Sequence, residues 1–166
     1  MNLENAIKKF NDYAHQFEVK DNKVNIKITH TMGVIKISEY IARKLNLSKE
    51  DVELAELIGL LHDIGRFQQA VRYDNYDDYD TLDHAELGVE ILFKDGFIRE
   101  FIDIDKYDNI IKEAIRNHNK YEIEDGLDER ELLFAKIIRD ADKTDNFKVK
   151  QYQDFESLFK ASEQEV

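Results

Sequence analysis

The stretch Leu60-Leu61-His62-Asp63-Ile64-Gly65-Arg66 decides how the chain is read. It closes an almost wholly apolar run, Leu54-Ala55-Glu56-Leu57-Ile58-Gly59-Leu60-Leu61. A helix apolar on nearly every side is a buried helix. This one ends with an imidazole and a carboxylate side by side, and Gly65 reads as its stop. Neither group belongs in a core unless it is paired or holds a metal, because desolvating a charge is costly. Adjacent helical residues point about 100° apart, so His62 and Asp63 cannot form a clamp by themselves. Their partners must come from other helices.

Working outward toward the N-terminus, Ser48 and Asp51 form a capping box that opens this central helix. A long helix from about Val24 to Leu45 precedes it, with Val34, Ile37, Ile41 and Leu45 on one line and His30 one turn before Val34. Residues 3–18 carry Ile7, Phe10, Ala14 and Phe17 at helical spacing; His15 lies beside that stripe and reads as a partly exposed bystander. Residues 19–23 are a polar connector.

Toward the C-terminus, Arg66 to Arg72 reads as a short helical turn. The acidic, aromatic run of residues 73–80 has no period and reads as a solvated loop, with a lid as the sharper alternative. Asp83 caps a helix to about Lys94, with His84, Leu87, Gly88, Ile91 and Leu92 on its apolar stripe and Asp95-Gly96 as its end. After a short amphipathic turn at residues 97–104, a helix from Asp105 or Asp108 aligns Ile111, Ala114, Ile115 and His118. Asn119 to Gly126 is a loop. Asp128 caps the next helix, where Ala135, Ile138 and Asp142 align at i, i+3, i+7. Tyr152, Phe155, Leu158 and Phe159 make an amphipathic end that can pack on the core or on a second copy, which leaves a homo-oligomer open. The expectation is an all-α fold: a single compact helical domain over residues 1–166, with its core at about 24–150.

Composition narrows the function classes. A chain of 166 residues with 42% hydrophobic and 36% charged residues is globular rather than disordered. No apolar run approaches the ~20 residues of a membrane span, so no membrane partner is expected. With no cysteine there is neither a disulfide frame nor a thiolate metal site, and a cytoplasmic location is the simplest expectation. A net charge of −12 disfavours polymeric nucleic acid but not a small phosphate ester held locally by metal.

Four of the five histidines lie on apolar stripes of different helices, joined by inward Asp63 and Asp142. Any one of them alone reads as a hydrogen-bonded core residue. Together they would repel or stay unpaired unless something positive sits among them. A divalent cation satisfies imidazoles and carboxylates together, and mixed nitrogen and oxygen donors suit Mn, Fe, Ni, Co, Mg or Zn. A helical scaffold with stray histidines is the bland alternative.

The order His30 … His62-Asp63 … Asp142 resembles the HD-domain superfamily of metal-dependent phosphohydrolases. The likeness extends through Ala55-Glu56-Leu57-Ile58-Gly59-Leu60-Leu61-His62-Asp63-Ile64-Gly65-Arg66 and Ala135-Lys136-Ile137-Ile138-Arg139-Asp140-Ala141-Asp142-Lys143. It implies an HD-domain-like helix bundle with His30, His62, Asp63 and Asp142 as ligands of one divalent ion. Asp140 competes for the last role; Asp142 is preferred, because the family motif places the aspartate after alanine and before a basic residue. His84 and His118 resemble the additional histidines of members that hold two metals or grip a phosphate, so one ion or two is implied. With no proline, the chain lacks the Gly-Tyr-Pro motif of the HD-GYP subgroup.

The implied activity is hydrolysis of a phosphoester or phosphoanhydride by metal-activated water, with a nucleotide as expected substrate and His62 and Asp63 at the catalytic centre. Arg66 and Lys143 are the candidates for its phosphate. The alternative is a regulatory or sensor module that binds a phosphorylated small molecule without turnover. Crowding of carboxylates in an empty site also predicts that Asp63→Ala stabilises the metal-free protein.

Overall fold

With no proline to interrupt it, the chain folds into one helix after another. The computed structural model describes residues 2–17, 23–73, 78 and 82–150. In chain order the α-helices are α1 (Leu3–Ala14), α2 (Lys23–Lys44), α3 (Lys49–Leu61), α4 (Ile64–Tyr73), α5 (His84–Val89), α6 (Asp108–Asn117) and α7 (Glu129–Lys150). No strand occurs among the described residues, and the fold is all-α. No helix there is long and apolar enough to cross a membrane. Residues 19–22 of the expected connector and the amphipathic stretch at 152–159 lie outside the described residues.

The caps read from the sequence are made. Ser48 Oγ accepts from the Asp51 N–H at 3.1 Å and donates to the Asp51 carboxylate at 2.8 Å, opening α3. Asp128 Oδ1 accepts from the N–H groups of Arg130 and Glu131 at 2.8 Å each, while the Glu131 carboxylate accepts from the Asp128 N–H at 3.0 Å.

Helix α3 is the axis. Leu54, Leu60 and Leu61 are fully buried, and Ala55, Leu57 and Ile58 nearly so. α2 lies along α3 and α7, α6 packs on α7, α5 bridges α4 and α6, and α1 covers α3. α1 is held by aromatic contacts: Phe10 meets Phe67 edge-on at 5.5 Å between ring centroids, and Tyr13 meets Phe97 at 5.0 Å.

Two local readings are corrected. Gly65 does not stop a helix: α4 begins at Ile64, after a turn of only His62 and Asp63. The glycine serves close packing instead, since a Cβ there would overlap the His84 carbonyl oxygen and stand 2.8 Å from the Gly88 nitrogen. The helix expected from Asp83 to Lys94 is regular only to Val89 and widens into a π-helical turn at Glu90–Lys94 before Gly96 takes a left-handed conformation at φ 76°.

Candidate metal centre

Each candidate ligand is delivered by the end or the inner face of a different element. His62 and His118 follow the last residues of α3 and α6, where helix carbonyls lack intrahelical partners. Each imidazole uses one: His62 Nδ1 lies 2.8 Å from Gly59 O, and His118 Nδ1 lies 2.7 Å from Ile115 O. His84 begins α5, where Asp83 accepts from the Ala85 N–H at 2.9 Å, and its Nδ1 lies 2.7 Å from Asp78 Oδ2. His30 projects from α2, its Nδ1 2.8 Å from Asp145 Oδ2 on α7. In all four rings the acceptor assigns a proton to Nδ1 and leaves Nε2 for the interior.

The four Nε2 atoms surround Asp63. Its Oδ1 is 3.2 Å from His84 Nε2 and 3.6 Å from His118 Nε2; its Oδ2 is 3.8 Å from His62 Nε2 and 4.0 Å from His30 Nε2. Asp142 Oδ1 joins the second set, 3.0 Å from His30 Nε2 and 3.6 Å from His62 Nε2. All four histidines and Asp63 are at most 4% exposed. Donor atoms of His30, His62 and Asp63 lie within 4.8 Å of one another, as do those of Asp63, His84 and His118.

The donor set fits a divalent cation. His62 Nε2 is buried with no hydrogen-bond partner among the described residues. His84 Nε2 and His118 Nε2 face each other at 3.0 Å, although both Nδ1 atoms already have acceptors. Two lone pairs aimed at one another need a positive charge between them.

The electrostatics agree. Burial would raise the Asp63 carboxyl, but Lys27 and the surrounding imidazoles outweigh it and hold it well below the carboxylate range. Burial opposes ionisation of Asp142 too, but the hydrogen bond to His30 and the nearby His62 imidazole hold its carboxyl low. Burial disfavours a charged His30, yet the hydrogen bonds to Asp142 and Asp145 prevail and lift it to about 9. Without metal, a proton on His30 stands in for the cation. These partners favour the Asp63 anion, which argues against the stabilisation expected of Asp63→Ala: in the metal-free variant Lys27 would lose its carboxylate partner.

Two partly exposed cations stand against Asp63. Lys27 Nζ, one helical turn before His30, is 2.9 Å from Asp63 Oδ2, with the side chain 21% exposed. Arg66 Nε is 3.7 Å from Asp63 Oδ1, and Arg66 Nη1 is 2.9 Å from Asp78 Oδ1. Lys143 is exposed on α7, because about 100° of helical rotation separates it from Asp142. Asp140 is exposed on the same helix and does not join the cluster of donor atoms, and His15 is exposed.

Asp78, Asp145 and Lys27 are the site residues the sequence reading missed. Asp78 falls in the run read as a solvated loop, whose residues 74–77, 79 and 80 lie outside the described residues; Asp78 itself is half-buried against His84, Arg66 and Gln69. Asp145 and Lys27 each follow or precede a read ligand by three residues on the same helix face, a signal that was legible.

The class defined here is an all-α protein with a buried nitrogen-and-oxygen site that fits divalent metal. The family model for the HD domain matches residues 28–146, well over half of the 166 residues, and the chain belongs to that family. Its members are mostly metal-dependent hydrolases. No curated protein and no solved structure matches the chain significantly.

Proposed function

We propose that the chain is a divalent-metal-dependent phosphohydrolase cleaving a phosphoester or phosphoanhydride bond of a small substrate, with nucleotides the first class to test. One observation carries the reading: Asp63 turns one oxygen toward the His84 and His118 pair and the other toward His30 and His62. His30, His62, Asp142 and Asp63 Oδ2 would hold one ion, and His84, His118 and Asp63 Oδ1 a second. Bound there, such ions supply Lewis acidity, which acidifies water toward neutral pH and offsets phosphate charge.

The residues of the chain do the rest. The four Nδ1 contacts stop the rings from turning, so the Nε2 atoms stay aimed at one place. Lys27 and Arg66 bring positive charge beside the cluster, where a phosphate would exchange for their present carboxylate partners. The apolar wall of α3 keeps water from the far side and strengthens every charge interaction inside. The net charge of −12 favours a small substrate over a polymeric nucleic acid.

The test is phosphate release from a panel of nucleotides and other phosphate esters with Mn²⁺, Co²⁺, Ni²⁺ or Mg²⁺ added singly. Release that stops on chelation is the expected result. Binding of Mn²⁺ and a nucleotide with no release would favour the non-hydrolysing sensor, and binding of neither would overturn the reading.

A further inference from the structure

Asp145 is a carboxylate only 3% exposed, one turn beyond Asp142 on α7. A charge so placed needs a strong partner. Its Oδ2 accepts from His30 Nδ1 at 2.8 Å, while Asp142 Oδ1 stands 3.0 Å from the other nitrogen of the same ring. The space for Asp145 comes from Gly33, one turn beyond His30 on α2: a Cβ on Gly33 would overlap the Asp145 carboxylate. Thus two pairs spaced by three residues interlock, His30 and Gly33 on α2 with Asp142 and Asp145 on α7.

We propose that Asp145 is the positioning residue for His30, fixing a proton on Nδ1 so that Nε2 is the metal-binding atom, and that Gly33 is present to admit the Asp145 carboxylate. The chemistry needs such a device. A neutral imidazole has two tautomers, and only one offers a lone pair on Nε2. His62 and His118 obtain their Nδ1 acceptor from their own helix end. His30 lies within α2, where the backbone carbonyls are already used, so its acceptor must come from another helix. The alternative is a helix-to-helix tether with no bearing on the ligand. That alternative predicts a general loss of stability, whereas positioning predicts a loss confined to the His30 half of the site.

The metal-affinity part rests on the proposed metal site; the ring-orientation part does not. Two readouts separate them in the full chain. In metal-free protein with ¹⁵N-labelled histidine, His30 Nδ1–H should give a low-field, slowly exchanging resonance that is lost in Asp145→Ala and kept in Asp145→Asn, whose amide oxygen still accepts. In titration with Mn²⁺ alone, Asp145→Ala should weaken the tighter ion by about 10- to 100-fold and leave the weaker ion unchanged. Gly33→Ala, although alanine is the better helix former, should reproduce both losses and add nothing further in the Asp145→Ala background.

The proposal is overturned if Asp145→Ala keeps the protected resonance, if it weakens both ions equally, or if Gly33→Ala costs as much with Asp145 absent as with it present. Should Asp145→Ala not fold, Asp145→Asn decides: loss of the resonance in that folded variant, or its retention with binding of the tighter ion as weak as that of the weaker one, overturns the proposal, and its retention with the tighter ion still tightly bound supports it. Wild-type protein that shows the resonance but binds no Mn²⁺ would overturn the metal reading and leave the orientation of His30 standing.

Discussion

The two halves of the site share Asp63 and differ in almost everything else. The His30 and His62 half adds the Asp142 carboxylate, and Asp145, which aligns His30, is buried on the long helix α7. The His84 and His118 half has no second carboxylate of its own, and Asp78, which aligns His84, is only half-buried and also engages Arg66 and Gln69. Hard divalent ions follow carboxylate count and ligand rigidity. The first half should therefore bind its ion tightly, and the second should bind a more exchangeable one.

The change that breaks the comparison altogether is Asp63→Ala. It removes an oxygen from both halves, so activity should fall by about 10³-fold or more and metal content should drop in both. Thermal melting of the metal-free variant should lie below wild type. Full metal content and wild-type turnover would contradict the shared-bridge account.

The pH dependence of the first half comes next. With its folded value lifted to about 9, against 6.5 ordinarily, His30 contributes stability to the metal-free fold that is fully present below about 6.5. That contribution is lost as pH rises through about 9. Asp63 and Asp142, held low, contribute above the ordinary carboxylate range and lose their share in acid. An ion taking His30 Nε2 must displace the proton. Affinity for the tighter ion should rise about tenfold per pH unit from about pH 6.5 to about pH 8.5. Mn²⁺ calorimetry in buffers of different ionisation heat counts that proton, and a flat profile would remove His30 from the ligand set.

Asp78→Asn tests the other half more gently. Loss of the charge behind His84 should weaken only the exchangeable ion, by about tenfold. Equal weakening of both ions would erase the distinction between the halves. Smallest is Lys27→Met, which should raise KM a few-fold with kcat nearly unchanged if Lys27 meets substrate phosphate; a lowered kcat at constant KM would move its role to the chemical step.

How much of this was legible depended on where each residue sits. Helix α3, its Ser48 cap and the inward faces bearing His30, His62, His84, His118 and Asp142 followed from apolar spacing and cap chemistry, both local properties of the sequence. Gly65 was misread because a glycine needed for contact with α5 looks, in sequence, like one needed to end a helix. Asp78 was illegible: it stands among other acidic residues with no period, and only the fold brings it to His84. Lys143 was chosen for adjacency to Asp142, but adjacency on a helix turns a side chain away, and it is Lys27, three residues from His30, that reaches Asp63.

The central claim, that one aspartate joins two metal subsites, is tested most directly by counting metal. After saturation with Mn²⁺ and removal of free ion, wild type should retain about two ions per chain and His84→Ala/His118→Ala about one, with the Asp63 bridge reduced to a single-ion ligand. A ratio near one in both proteins would contradict the account and return His84 and His118 to phosphate binding or proton donation.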